Sequence, residues 1–511
     1  MSYFLVSYQF LWIRGRNKSL VVDTCFILMP GTLVPEMSSP YKTLHDSYVP
    51  NRRGSKRLVS IAVVVGCLTA LGALLSFSIL DKCTEEEHFQ NDKLFQETRT
   101  DQNNISDEQS RIILVESIPL YMKYDDNATF GTPVDKAWRD LLSMATNQVD
   151  VASFYWTLTG DDINMNSSTD LPGKDILEQL GALPSRNVSV RVVTSIPSML
   201  TNSTDLQVLR QKGVQVRKVH FGRLTGGVLH SKFWIVDRRH IFLGSANMDW
   251  RALTQVKELG VVIYNCSSLA EDLQKIFESY WVMGHFNSSI PDPWPSKYDT
   301  AINKEHPLLL KADNVSSKIY ITDLNAILSV ISGAQHFIDV AVMEYFPTTR
   351  FIHPQRYWPA IDDALKRAAF ERNVKVRLLV SCGRDSDPAM LPFLQSLASL
   401  NYPAHNISIQ VKLSIVPVGN QSEIPYSRVN HNKYMVTDRV AYIGTSNWSA
   451  DYFNTTAGVG LVVSQHTPNW PWGTQALQGQ LRAVFDRDWH SQFTVCFADL
   501  GHHPDCALSK G

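Results

Sequence analysis

The pattern His-x-Lys-x-x-x-x-Asp occurs twice in this chain, at His230/Lys232/Asp237 and at His431/Lys433/Asp438. Each copy is followed by a Gly-(Ser/Thr)-x-Asn tetrad, Gly244–Asn247 and Gly444–Asn447. The two histidines lie 201 residues apart. Two strand-like runs, around Asp150 and Asp339, lie 189 apart, so the spacing of the halves is nearly kept. The duplication predicts a tandem repeat in which each copy of the motif has its own strand, turn and helix.

The order of segments supports this. A helical stretch over 134–147 precedes the apolar run 149–156, and 323–333 precedes 338–345. Strands follow at 188–194 and 374–381, then at 214–219 and 407–416, with the motif strand last in each half and a helix after each tetrad. Alternating strands and helices predict α/β layers. The expected architecture is two α/β lobes, 112–300 and 301–511, related by a pseudo-twofold axis with one shared site on that axis.

In 229–237 and 430–438 the two-residue period of a strand puts His and Lys on one face. Such a pair of faces suits displacement at a phosphodiester. One neutral histidine attacks phosphorus and forms a phosphohistidine. The other, protonated, gives its proton to the leaving oxygen and then deprotonates water. Lys232, Lys433, Asn247 and Asn447 are expected to bind the phosphate oxygens, with no metal and no other cofactor. Glu258, 28 residues after His230, is expected to hold the His230 ring, since the matching stretch 457–459 has no carboxylate. Glu344 is the candidate partner for His431. On this basis His230 is the nucleophile and His431 the acid/base. Asp237 and Asp438 belong to the catalytic motif, although a scaffold role suits them better than substrate contact. Of Phe154, Tyr155 and Trp156, two are expected in the core. Trp250-Arg251 and Trp448 are placed to wall the cleft, and 343–347 with Arg350 divides between cleft and packing. His502-His503 is too loose a pair for a zinc site.

Charge is uneven along the chain. Residues 1–57 carry eight Lys/Arg against three Asp/Glu, while the remainder is mildly acidic and holds fourteen of the fifteen histidines. In an acidic compartment those histidines would turn the surface positive and favour a polyanion. Leu58–Leu80 is a 23-residue run without charge, long enough to span a bilayer, with four basic residues just before it and acidic ones just after. The positive-inside rule makes 1–57 a cytoplasmic tail, 58–80 a signal-anchor helix and 81–111 a lumenal stem. The apolar start of the chain leaves Met1 and Met37 as alternative initiators. Twelve Asn-x-Ser/Thr sequons beyond the apolar run suit a glycosylated lumenal protein, with Asn447 expected to stay bare. Five of the seven cysteines fall on the oxidising side, which leaves one over.

The segments 226–234, 244–260, 342–350, 415–419 and 444–449 resemble the phospholipase D superfamily, in its vertebrate endolysosomal branch. The resemblance covers roughly 112–507. It implies a type II membrane protein, sorted through the endoplasmic reticulum and Golgi to endosomes and lysosomes, and a homodimer. It implies an acid exonuclease acting from the 5′ end of single-stranded DNA and RNA, which limits nucleic-acid-sensing Toll-like receptors. It also implies the pairs Cys83–Cys266 and Cys382–Cys506, leaving Cys496 unpaired. Asp438 departs from the pattern, since relatives often carry Glu there. The alternative activity is that of a phospholipase D or transphosphatidylase making a lysosomal phospholipid, because the chemistry of the motif is the same for either diester. An inactive, tethered binding protein is a poorer fit, because both motifs are intact.

Overall fold

The computed structural model describes residues 110–196, 203–312, 315–322, 324–465 and 476–510. The predicted tail, the apolar span and all but the last residues of the stem lie outside these, as do Cys83, Asn104, Asn202 and Asn314. Among the described residues no helix is long and apolar enough to cross a membrane.

Runs rich in Val, Ile and Leu build two mixed sheets. The first half supplies β1 (Arg111–Ser117), β2 (Thr132–Pro133), β3 (Gln148–Ser153), β4 (Trp156–Thr157), β5 (Ser189–Ser195), β6 (Gln215–Val219), β7 (Phe233–Val236), β8 (His240–Gly244), β9 (Met248–Asp249) and β10 (Glu258–Tyr264). The second supplies β11 (Leu308–Ala312), β12 (Val315–Thr322), β13 (Phe337–Val342), β14 (Lys375–Ser381), β15 (Ile409–Ser414), β16 (Lys433–Thr437), β17 (Val440–Gly444), β18 (Gly460–Gln465) and β19 (Thr494–Cys496). Strand order is β2-β1-β10-β8-β7-β3-β5-β6 in one sheet and β11-β12-β18-β17-β16-β13-β14-β15-β19 in the other, while β4 pairs only with β9. Seven strands therefore match one for one. Within each set of seven, three neighbours run parallel and the rest antiparallel.

The motif strand is not the last of its sheet, contrary to the sequence reading. Each is followed by two more strands, β8 and β10 or β17 and β18. The helix after each tetrad is short, Trp250–Thr254 or Ala450–Asn454. The long helices come later, at Ser267–Met283 and Leu477–His490. The tetrad glycine serves this arrangement. A Cβ on Gly244 would lie 2.7 Å from Gly260 Cα in the neighbouring strand, so only glycine lets β8 and β10 pair there.

One apolar cluster holds residues of both sheets together with the two long helices, among them Phe233, Leu259, Ile263, Phe277, Tyr434, Leu461 and Phe485. Separate clusters pack Val151, Trp138 and Leu180 in the first half and Val340, Leu365 and Leu378 in the second. Each half also repeats a buried charge cluster that the sequence did not announce. Arg191 bonds Asp150 and Glu278 at 2.7 Å, and Arg377 bonds Asp339 at 2.6 Å and Asp486 at 2.7 Å. Each guanidinium lies over a stacked aromatic pair, Phe277/Trp281 or Phe485/Trp489. The central aspartates of the two matched strands are fully buried, and their charge is met by hydrogen bonds from arginine.

The Cys382–Cys506 bond is present, with Cα atoms 5.1 Å apart. Among the described residues the buried Cys266 and the exposed Cys496 have no disulfide partner, and Cys83, the expected partner of Cys266, lies outside them.

Candidate active site

Each motif histidine is held by the opposite half. The amide of His230 donates to the Ala457 carbonyl at 2.8 Å, and the Ala457 amide donates to Val228 at 2.9 Å. The same exchange is repeated with roles reversed. The His431 amide donates to Lys257 at 2.8 Å, and the Lys257 amide to Val429 at 3.0 Å. These two short parallel bridges clasp the motif segments across the lobe boundary. They also fit the start of β7 at Phe233, since the Val228 carbonyl and the His230 amide are committed to the other half.

The side chains then converge. Burial pushes the His230 imidazole well below its usual pKa, and the charges of Lys232, Lys433 and His431 push in the same direction. The His230 ring lies 5.0 Å from that of Phe154 and 4.9 Å from that of Tyr452, which comes from the second half. Its Nδ1 is buried and has no hydrogen-bond partner. His431 differs, because its Nδ1 bonds the Glu258 carboxylate at 2.9 and 3.0 Å. Burial lowers the His431 pKa, but the Glu258 charge opposes that shift. Glu258 therefore serves His431 across the lobes and not His230, which corrects the expectation from sequence. Ser245 of the first tetrad donates to the same carboxylate at 2.5 Å and fixes it.

The lysines are matched. Lys232 Nζ donates to the His230 carbonyl at 2.6 Å and Lys433 Nζ to the His431 carbonyl at 2.7 Å. Both are buried. Burial takes Lys433 down to about 7 despite the opposing charges of Glu258 and Glu344. Burial, and then the charge of Lys433, hold Lys232 well below the usual ammonium range. Two cations and two imidazoles are crowded in a dry space, and an anion placed among them would relieve their repulsion.

The asparagines are not equivalent. Both are buried with Oδ1 unpartnered, and they differ at the amide nitrogen. Asn447 Nδ2 already donates to Glu344 at 3.2 Å and to Tyr452 Oη at 3.1 Å, so it is not the free phosphate donor expected from sequence. Its burial agrees with a sequon that stays bare. Glu344 does not reach His431 either. It pairs with Arg350 at 2.7 Å, and Arg350 pairs with Asp387 at 2.8 Å.

Asp237 and Asp438 lie at the far ends of their strands and take no part in the site. Asp237 accepts from the backbone amides of Thr146, Asn147 and Gln148, each at 2.8 Å, and from the Thr146 hydroxyl at 2.7 Å. Asp438 accepts from Gln335 and His336 at 2.9 and 3.0 Å. Each carboxylate ties down the turn that leads into β3 or β13, so both belong to the scaffold and not to the catalytic set. Trp250 and Trp448 are buried core residues rather than cleft walls. Of the aromatic triplet only Trp156 is core. Phe154 faces His230, and Tyr155 donates to Asp249 at 2.8 Å. The sequence reading missed Tyr452 and Phe351. Phe351 is 61% exposed and meets the Tyr452 ring edge-on at 6.1 Å, continuing an aromatic path outward from His230. Among the described residues no group of three or more His, Cys, Asp or Glu side chains is placed to hold a metal ion.

Residues 125–418 match the family described as PLD3/4, PLD-like domain. The chain belongs to this family. It is 51% identical to human 5'-3' exonuclease PLD4 over 409 residues, covering 78% of this chain and 81% of that protein. It is 46% identical to the mouse protein of the same name, covering 90% and 96%. Xenopus tropicalis 5'-3' exonuclease PLD3 is 49% identical, covering 77% and 82%. The fold is thus an α/β phospholipase D-like fold with two mixed sheets.

Proposed function

We propose that this protein is a 5′-to-3′ exonuclease on single-stranded DNA and RNA, working through a phosphohistidine. The observation that carries the reading is the unequal pair of histidines between two buried lysines, in a chain that resembles exonucleases over most of its length. His230, kept neutral by burial and neighbouring cations, attacks phosphorus. The bond from phosphorus to the leaving oxygen breaks as His431 gives that oxygen its proton. Glu258 supports this role because its charge favours the imidazolium form of His431. His431 then takes a proton from water, the water oxygen bonds phosphorus, and the bond to His230 breaks. Lys232, Lys433 and Asn247 hold the equatorial oxygens. The role of each histidine is the one read from sequence, but the reason is reversed, since the carboxylate orients the acid and not the nucleophile.

Acidic conditions favour the reaction in this scheme. Lys433 gains its charge as pH falls through about 7, which strengthens the grip on phosphate. Lumenal placement of 81–511 behind a membrane anchor, and delivery to an acidic compartment, complete the proposal. The Cys382–Cys506 bond and the exposed sequon residues Asn127, Asn166, Asn187, Asn287 and Asn406 support it.

The test is an end-labelled single-stranded oligonucleotide at pH 5 with chelator, beside a phosphatidylcholine assay. Stepwise loss of nucleotides from the 5′ end, abolished by His230→Ala and by His431→Ala, is the expected result. Choline release without loss of nucleotides would replace the nuclease by the lipid enzyme.

A further inference from the structure

We propose that the pocket beside Arg428 is a subsite for the leaving strand, taking the phosphate and nucleotide that follow the leaving nucleoside. This rests on the nuclease reading and on His431 as the acid.

Three observations meet here. The first is position. Strands β13, β14 and β15 run parallel, so the loops after them open at one end of the second sheet. Those loops carry Glu344, Arg384 and Val418, and the antiparallel strand β16 starts at the same end, just after His431. Arg428 precedes His431 by three residues, a span of at most about 11 Å along an extended chain. In an in-line displacement the leaving group departs on the side of the acid, opposite the nucleophile. A pocket on the His431 side therefore faces the leaving strand.

The second is the cavity. It measures about 340 Å³, within the range of small-ligand clefts, and its lining includes Arg384, Asp385, Tyr426 and Arg428. Its wall is fixed by the other half of the molecule. Arg251 Nη1 donates to the Pro425 carbonyl at 2.6 Å, and Gln255 bonds Gln421 at 3.1 Å. The Arg428 amide donates to the Gln255 carbonyl at 3.1 Å.

The third is charge. Arg428 is only 3% exposed, and no carboxylate among the described residues stands at ion-pair distance from it. Its guanidinium donates to the Pro417 carbonyl at 2.8 Å and to Gln255 Oε1 at 3.3 Å, both neutral acceptors. Asp505 acts on Arg428 only from beyond ion-pair distance and is already paired with Arg384, so a phosphate supplies the direct counter-ion that the buried guanidinium lacks. Arg384, by contrast, pairs with Asp505 at 3.1 Å. Asp385 is the acidic group of the lining and confines the anion to the Arg428 side. Tyr426, 63% exposed at the rim, offers a ring face on which a base of any identity stacks.

The experiment compares a dinucleoside monophosphate, which has nothing beyond the leaving nucleoside, with a tetranucleotide carrying the same first linkage. The readout is the ratio of kcat/KM for cleavage of that first bond. The wild-type ratio is expected to favour the tetranucleotide by about tenfold or more. Tyr426→Ala and Arg428→Gln should collapse the ratio, mostly through KM for the longer substrate. Because Tyr426 is a surface residue, its variant keeps the test open even if the Arg428 variant folds poorly. A Tyr426→Ala ratio equal to wild type, or equal losses on both substrates, overturns the subsite while leaving the nuclease standing. If the wild-type protein cleaves neither substrate, the nuclease reading falls first and the subsite falls with it.

Discussion

Glu258 shows how one side chain divides the labour of two identical rings. His230 and His431 sit in the same motif, yet only His431 has a carboxylate on its Nδ1. Removing that charge lowers the pKa of His431, so less of the acid form survives at a given pH. Glu258→Gln should therefore cut kcat by about 10²-fold and move the pH optimum downward, which a pH–rate profile on a labelled oligonucleotide checks. An unchanged optimum would mean that Glu258 serves only as packing. Asp237 makes the opposite case. Its four hydrogen bonds go to a turn remote from the histidines. Asp237→Ala is expected to cost about 1–3 kcal/mol in denaturant unfolding, with kcat of the folded protein within about twofold of wild type. The histidines and the lysines, which the structure brings together, were legible because their chemistry needs those residue types. The partner of Glu258 was not, because contact across 173 residues leaves no local spacing to read. For the same reason the diversion of Asn447 to Glu344 could not be seen in the tetrad itself.

Lys257, the first residue of the clasp on its side, links an element to the site. Its backbone brackets His431, while its ammonium is buried between Glu116 at 3.4 Å and Asp488 at 3.1 Å. Arg487 closes the cluster with 2.8 Å bonds to both acids. Glu116 is drawn by β1 and Arg487 by the helix Leu477–His490, so the cluster joins the two halves. Burial raises the pKa of Glu116, but Lys257 and Arg487 outweigh it and bring the group down to about 2 from 4.5. Its stabilising contribution is thus complete above about 4.5 and is lost only as pH falls through 2. Glu116 therefore stays charged in an acidic compartment. Lys257→Met leaves two buried carboxylates with one cation, an expected loss of about 3–5 kcal/mol. Its acid-unfolding midpoint, followed by circular dichroism, should move to higher pH than wild type. The opposite half has Ala457 at the matching clasp position, so the charge cluster is a one-sided addition to a symmetric frame. Elements of this frame were partly legible. The three strands read before the motif, β3, β5 and β6, and their counterparts β13, β14 and β15 stand within a few residues of the sequence reading. The strands β10 and β18 were missed because their runs, 258–264 and 460–465, closely follow a helix and are largely buried on both faces, so no alternation marks them.

At the scale of the whole molecule the site gathers two buried lysines and the two motif histidines around the Glu258 carboxylate, between two sheets. Charging Lys232 and Lys433 opposes folding unless an anion meets them, since their pKa values in the folded state lie below the usual 10.5. That penalty grows as pH falls and is removed by a bound anion. Sulfate, whose charge is the same at both pH values, should therefore raise Tm more at pH 5 than at pH 8, and Lys433→Met should reduce the difference. At a hundredfold excess over Kd the stabilisation amounts to about 2.7 kcal/mol, well within reach of a thermal-shift measurement. A rise in Tm independent of pH would show that the lysines do not meet the anion.

The crossed clasp has a consequence for ancestry and engineering alike. Neither half finishes its own histidine segment, because the carbonyls at 257 and 457 that receive those amides are each contributed by the other repeat. A severed half would present its imidazole on a loose end, beside an edge with nothing to grip it. Two separately expressed halves should be inert alone and regain turnover when mixed, as a fused pair of once-identical subunits would.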